Sequence, residues 1–368
     1  MASSSLQTNI CSENKQRSSN LELFRIICML MIMAHHYVLS GFVGNEGPLV
    51  TDPVSPNSMF LWLFGAWGKT GMNCFIMITG YFMCTSKITA RKFVKFISQV
   101  YFYRFILFFI FLLTGYEIFS GMRLIKLVMP FWGLTSGFVS CFIVFYITIP
   151  FWNILIHSMD KRQHALLLLL LLVSYTFLGS IPTFKVSFNY ITWFGIIYLI
   201  ASYIRLYPQP IFERRKLWAG LTLILVLFAM VSVFVLQKMM GAGYFLLSDC
   251  NKFFAVAIAV SSFLWFKNMN IKYSKFINAF GAATFGVLLI HANSDAMRLW
   301  LWTDVVDAAG HYHLPVIQLA LFCVGVVLAV FITCNIIDQL RIATVEKSFL
   351  KWYDKHIDNK LNKLIKSE

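Results

Sequence analysis

Ten stretches of the chain are apolar for close to the length a helix needs to cross a bilayer, and no other feature narrows its folding options as much. A hydrocarbon core about 30 Å thick takes about 20 apolar residues at about 1.5 Å per residue. The runs cover roughly 21–42, 59–84, 96–115, 134–157, 165–181, 189–206, 217–237, 250–267, 276–294 and 314–337. Between them lie breaks with turn chemistry, among them Gly44-Asn45-Glu46-Gly47-Pro48, Pro53 to Pro56 and Pro208 to Pro210. Such backbone belongs outside lipid, where its amides can find partners. With 59% hydrophobic and 13% charged residues, the chain is too apolar for a water-facing globule, which averages about 45–50% and about 25%. The pattern predicts an all-α integral membrane protein of about ten transmembrane helices. It comprises an N-terminal segment (1–20), one membrane domain (21–340) and a tail (341–368).

The net charge of +15 arises from 31 Lys and Arg against 16 Asp and Glu. With the N-terminus cytoplasmic, 22 basic residues fall in inner segments, five in outer segments (Arg123, Lys126, Lys185, Lys238, Arg298) and four within the runs (Arg25, Lys69, Arg104, Lys252). Basic residues collect on the cytoplasmic side of membrane proteins. The asymmetry therefore predicts a cytoplasmic N-terminus, and an even number of spans returns the C-terminus to the same side. The charge reports orientation and contact with the lipid bilayer, and no nucleic-acid partner is expected. In the tail, Phe349, Leu350, Trp352, Tyr353, Ile357, Leu361, Leu364 and Ile365 recur at helical spacing among lysines. That predicts an amphipathic basic helix on the inner leaflet. The first 20 residues lack a small-residue cleavage site, so the first run reads as an uncleaved span. The eight Cys show neither CxxC nor metal-ligand spacing, so no disulfide framework and no metal site is expected.

Ionisable residues inside a span are expensive and point to a site or a cavity. The first run holds the densest set: Glu22, Arg25, His35 and His36. At about 100° per residue, the eleven steps from Arg25 to His36 return to within about 20° of one face, whereas His35 points about 80° away. Glu22, three residues before Arg25, shares that face. Eleven residues rise about 16 Å, so Arg25 and His36 are two stations on one pathway. Histidine titrates near neutrality and can take a proton from an attacking hydroxyl, while arginine holds phosphate through several donors. The alternative reading has Arg25 snorkelling and pairing with Glu22, and the histidines bonding between helices.

These residues resemble the first-helix signature of the membrane-bound acyltransferase 3 family, with Arg25-x10-His36 preceded by Glu22. The stretch Gly71-Met72-Asn73-Cys74-Phe75-Ile76-Met77-Ile78-Thr79-Gly80-Tyr81-Phe82 is similar to the ending of its second span, with Thr79 where Ser is usual. Arg91-Lys92-Phe93-Val94-Lys95 follows at the family's basic stretch. Phe138 to Asn153 resembles its fourth span, with Gly137 where Trp is common, and Thr284 to His291 resembles a late-span motif. The resemblance covers nearly the whole chain.

The resemblance implies acyl transfer, most simply of acetyl, from cytoplasmic acetyl-CoA to a hydroxyl of a surface glycan or glycolipid, across a bacterial cytoplasmic membrane spanned many times. It implies that Arg25, Arg91, Lys92 and Lys95 bind the CoA phosphates and that His36 is the general base or the acyl carrier. Asn73 and Thr79 lie in a glycine-rich run able to break and form an oxyanion site, or to pack closely. His291, at the outer end of its span, reads as an acceptor contact or as a hydrogen-bonded histidine. Arg104 is expected to pair with an acid or to flank the CoA route. From a different class, a secondary transporter could use Arg25 and His36 as substrate or proton sites, although the two halves show no paired broken helices.

Overall fold

The computed structural model describes residues 17–43, 47–129, 131–134 and 137–358. Most of the N-terminal segment, the Gly44 to Glu46 break and the tail beyond 358, with Leu361, Leu364 and Ile365, lie outside them. Every regular element among the described residues is helical. The chain runs through α1 (Ser19–Phe42), a single turn α2 (Pro48–Thr51), α3 (Pro56–Gly65), α4 (Gly68–Met83), α5 (Ala90–Leu113), the short α6 (Gly121–Val128), α7 (Phe138–Ser158) and α8 (Lys161–Leu171). It continues through α9 (Tyr190–Leu206), α10 (Arg215–Met240), α11 (Phe253–Lys267), α12 (Lys275–Ala282), α13 (Thr284–His291), α14 (Asp295–Leu299), α15 (Val316–Arg341) and α16 (Lys347–Tyr353).

The helix starts follow from local chemistry. Ser55 precedes Pro56 and accepts from the Ser58 amide, Thr89 caps α5 through Lys92, and Asp160 with Gln163 forms a capping box on α8. Each satisfies amides that the first turn leaves without a helical partner.

Among the described residues, six helices are long and apolar enough to cross a membrane: Ser19–Phe42, Ala90–Leu113, Phe138–Ser158, Lys161–Ser180, Arg215–Met240 and Val316–Ile357. Tyr190–Leu206 and Phe253–Lys267 are shorter and equally apolar, and Lys275–His291 meets Asp295–His311 at a bend of 100°. The expected run 59–84 is not one helix. It breaks at Ala66 and Trp67 into α3 and α4, and the glycines at its break allow a close approach: a Cβ on Gly71 would stand 2.8 Å from the Cys28 carbonyl of α1. The tail expected on the leaflet instead prolongs α15 unbroken as far as Ile357, with Glu346, Leu350 and Tyr353 buried.

Helix α1 stands at the centre, against α3, α4, α11, α12, α13 and α15. Two apolar clusters flank it. One joins α4, α7, α9 and α11, and the other joins α1, α5, α13 and α15. Outer helices turn large apolar side chains outward, such as Leu223, Leu227 and Phe228 on α10 and Ile317 and Leu321 on α15. In water such faces would be a liability; against acyl chains they are the required surface.

Candidate active site

The break between α3 and α4 sits against the histidines of α1. His35 Nδ1 lies 2.7 Å from the Gly65 carbonyl at the end of α3, and Gly68 is tight against the His35 ring. His35 is thereby tied to the break. His36, on the other face, meets His291 of α13, with His36 Nδ1 and His291 Nε2 3.0 Å apart. His291 is fully buried, and its Nδ1 lies 2.7 Å from the Val287 carbonyl one turn earlier.

That chain of contacts has a direction. A carbonyl only accepts, so His291 Nδ1 carries the hydrogen that bonds Val287; in the neutral ring, His291 Nε2 is then an acceptor. His36 Nδ1 must donate to it, which leaves the His36 Nε2 lone pair free. The His36 side chain is only half-buried. A nitrogen with a free lone pair of this kind can accept a proton.

At the cytoplasmic end expected for α1, Arg25 Nη1 donates to Glu22 Oε1 at 3.3 Å, and Arg17 reaches the same oxygen at 3.4 Å. Glu22 is buried, and its second oxygen has no partner among the described residues. Arg25 keeps 22% of its side chain exposed. The other expected phosphate ligands are engaged elsewhere. Arg91 pairs with Asp354 at 2.8 Å and Lys95 with Glu346 at 2.7 Å, while Lys92 donates to the Lys87 carbonyl at 2.9 Å. Arg91 and Lys95 thus fasten the start of α5 to the prolonged last helix.

The Asn73 carboxamide is fully engaged in packing. Its Nδ2 donates to Cys250 at 2.7 Å and Ala255 at 3.3 Å, and its Oδ1 accepts from Trp193 Nε1 at 2.8 Å. The group ties α4 to α9 and α11. The Thr79 hydroxyl donates to the Phe75 carbonyl one turn back at 3.1 Å. Arg104 has no acidic partner among the described residues; its Nε donates to Leu127 at 3.3 Å and its Nη2 to the Lys126 carbonyl, closing the end of α6.

Two polar groups gain partners that the sequence did not reveal. Lys69, at the start of α4, donates to Tyr190 at 2.5 Å and lies 3.6 Å from Asp249. Asp338, fully buried, accepts from Arg341 Nε at 2.7 Å, Tyr103 at 2.8 Å and Gln99 at 3.3 Å, and Arg341 also donates to Glu346 at 2.9 Å. The only signal for it was the Asp338-x-x-Arg341 pair, placed just past the end of the last apolar run. Between the two clusters, Phe96, Phe138 and Phe285 pack against both and stay partly exposed. The ring centroids of Phe96 and Phe285 are 5.5 Å apart, and Phe285 lies six residues, about 9 Å, before His291 on α13. These rings line the seam between the two clusters.

A family model described as an acyltransferase domain matches residues 18–334. No curated protein and no solved structure matches the chain.

Proposed function

The chain belongs to the acyltransferase 3 family, and from that premise we propose that it moves an acyl group, most simply acetyl, from cytoplasmic acyl-CoA to a hydroxyl of an extracytoplasmic glycan or glycolipid. The observation that carries this reading is the hydrogen-bond chain Val287, His291, His36, which leaves His36 Nε2 free to act as a base. In the proposed arrangement the chain crosses a bacterial cytoplasmic membrane ten times as a single domain. The two shorter helices, the α3–α4 pair and the α12–α13 pair complete the count. Both termini are cytoplasmic, in keeping with the 22 basic residues on that side.

Acyl-CoA is the donor substrate. Its phosphates stay at the inner face near Arg25, and its extended arm enters the ring-lined seam. His36 Nε2 takes the hydroxyl proton as the acceptor oxygen attacks the thioester carbon. The C–S bond then breaks, and the departing thiolate recovers that proton from His36, giving an ester and free CoA. His291 holds the ring and its tautomer. Arg91 and Lys95 serve first to dock the last helix, so a phosphate contact there would have to compete with Asp354 and Glu346. A covalent acyl-His36 gives the same products in two steps. Family membership favours acyl transfer over the transporter alternative.

The test is mass analysis of surface glycans from cells with and without the gene, together with thiol release by the purified protein supplied with acetyl-CoA and acceptor. We expect a mass increment of one acyl group that disappears with H36A at unchanged protein level. Retained modification by H36A would remove His36 as the base.

A further inference from the structure

Just past the histidine pair, a cavity of about 500 Å³ opens between the far end of α5, the short α6 and the start of α14. Asn293 and Ser294, two and three residues after His291, form one wall, and Arg104, Arg123 and Lys126 form the opposite one. The charges there are not balanced. Arg123 lies 3.7 Å from Glu117, and Asp295 pairs with Arg298. Arg104 and Lys126 have no carboxylate partner among the described residues: Arg104 is held by backbone carbonyls, and Lys126 lies over the Trp132 ring at 5.4 Å. Two of the five Arg104 N–H donors are engaged, so its guanidinium is fixed in place with the others unassigned.

Aromatic rings complete the wall. Phe108, Phe111 and Tyr116 line it, and the Phe111 and Tyr116 centroids are 5.3 Å apart. Flat apolar rings suit the C–H faces of a sugar, while a carboxylate and an amide suit its hydroxyls. The two cations without carboxylates favour an anionic group, because a neutral sugar would leave them facing water alone.

We propose that this cavity is the acceptor site and that the acceptor is an anionic glycan, with its phosphate or carboxylate held by Arg104 and Lys126 and its hydroxyl presented toward His36. The proposal rests on the acyl-transfer reading for the last clause and on the cavity alone for the first. The anion has two possible sources, the phosphate that links a glycan to a lipid carrier and an acidic sugar within the glycan.

Calorimetric binding to the full chain in nanodiscs tests it without requiring turnover. The probes are a glycosyl phosphate, a uronate oligosaccharide and its neutral counterpart. At least one anionic probe should bind about tenfold or more tighter than the neutral one, and which of the two does so identifies the source. The preference should shrink to within about threefold in K126Q and vanish in K126E. R104Q also removes the closure of α6, so it serves only as a second variant, with a melting curve as control. Equal binding of charged and neutral probes, or a preference unmoved in K126E, overturns the proposal. Failure of the acyl-transfer reading would look different: the anionic probe binds, yet the wild-type protein acylates none of the acceptors.

Discussion

Replacing His291 isolates the orienting bond from the base itself. In H291A, His36 Nδ1 loses the acceptor it now has at 3.0 Å, and nothing then selects the tautomer with a free Nε2. A buried donor left without its partner costs about 1–3 kcal/mol. At about 1.4 kcal/mol per decade, that amounts to roughly ten- to a hundredfold in kcat. Two further substitutions separate tautomer control from bulk. A Gln side chain carries its terminal oxygen close to where His291 Nε2 sits, so H291Q keeps an acceptor for His36 and should remain within about tenfold of wild type. Asn reaches only the Nδ1 position; H291N can still donate to Val287 but cannot meet His36, and it should fall with H291A. The assay is thiol release at saturating acetyl-CoA with a fixed acceptor, and KM for acetyl-CoA should stay constant through the series. Melting temperature controls for the cavity left by the ring. Wild-type turnover by a folded H291A, or H291Q no better than H291A, would refute the tautomer reasoning.

H36A should lose about 10²–10⁴ in transfer rate, the range of a positioned general base, in the same thiol-release assay, while acyl-CoA binding persists. Arg25→Gln should raise KM for acetyl-CoA about tenfold with little change in kcat; lower protein yield with unchanged donor kinetics would leave Arg25 as the partner of Glu22 only. Asn73→Ala should lower thermal stability by about 1–3 kcal/mol, because Trp193 loses its acceptor and Cys250 and Ala255 their donor. The ratio of transfer to stability loss should then match that of other core variants, which separates it from an oxyanion donor. Gly286→Ala should destabilise by about 1–3 kcal/mol, since its Cβ would collide with the Asp338 carboxylate, and a melting curve checks it.

Much of α1 was legible before any packing was known. Helical rotation alone assigned Arg25 and His36 to one face and turned His35 aside, and His35 is indeed bound to the end of α3. The glycines of 65–80 marked a run able to break, and it does break, at Ala66 and Trp67. What they did not reveal is the use made of Asn73. Its carboxamide is spent on packing, because Cys250, Ala255 and Trp193 take all of its bonding capacity from helices 120 to 182 residues away. Of the two readings of Arg104, pairing with an acid finds no partner among the described residues, and two backbone carbonyls hold it instead. The basic stretch from Arg91 to Lys95 was visible as charge, but its carboxylate partners lie in the tail.

By itself, the sequence determined the class of the molecule, the order of its helices and the first-helix face that carries the ionisable groups. Each depends on quantities that add up locally: apolar length against a bilayer of fixed thickness, and rotation per residue about one axis. Only the tertiary structure decided that His36 meets His291, 255 residues away, and that Val287 sets the direction of that bond. A hydrogen bond depends on position to a fraction of an ångström, and no local property of either histidine encodes which partner the packing of α1 against α13 will supply.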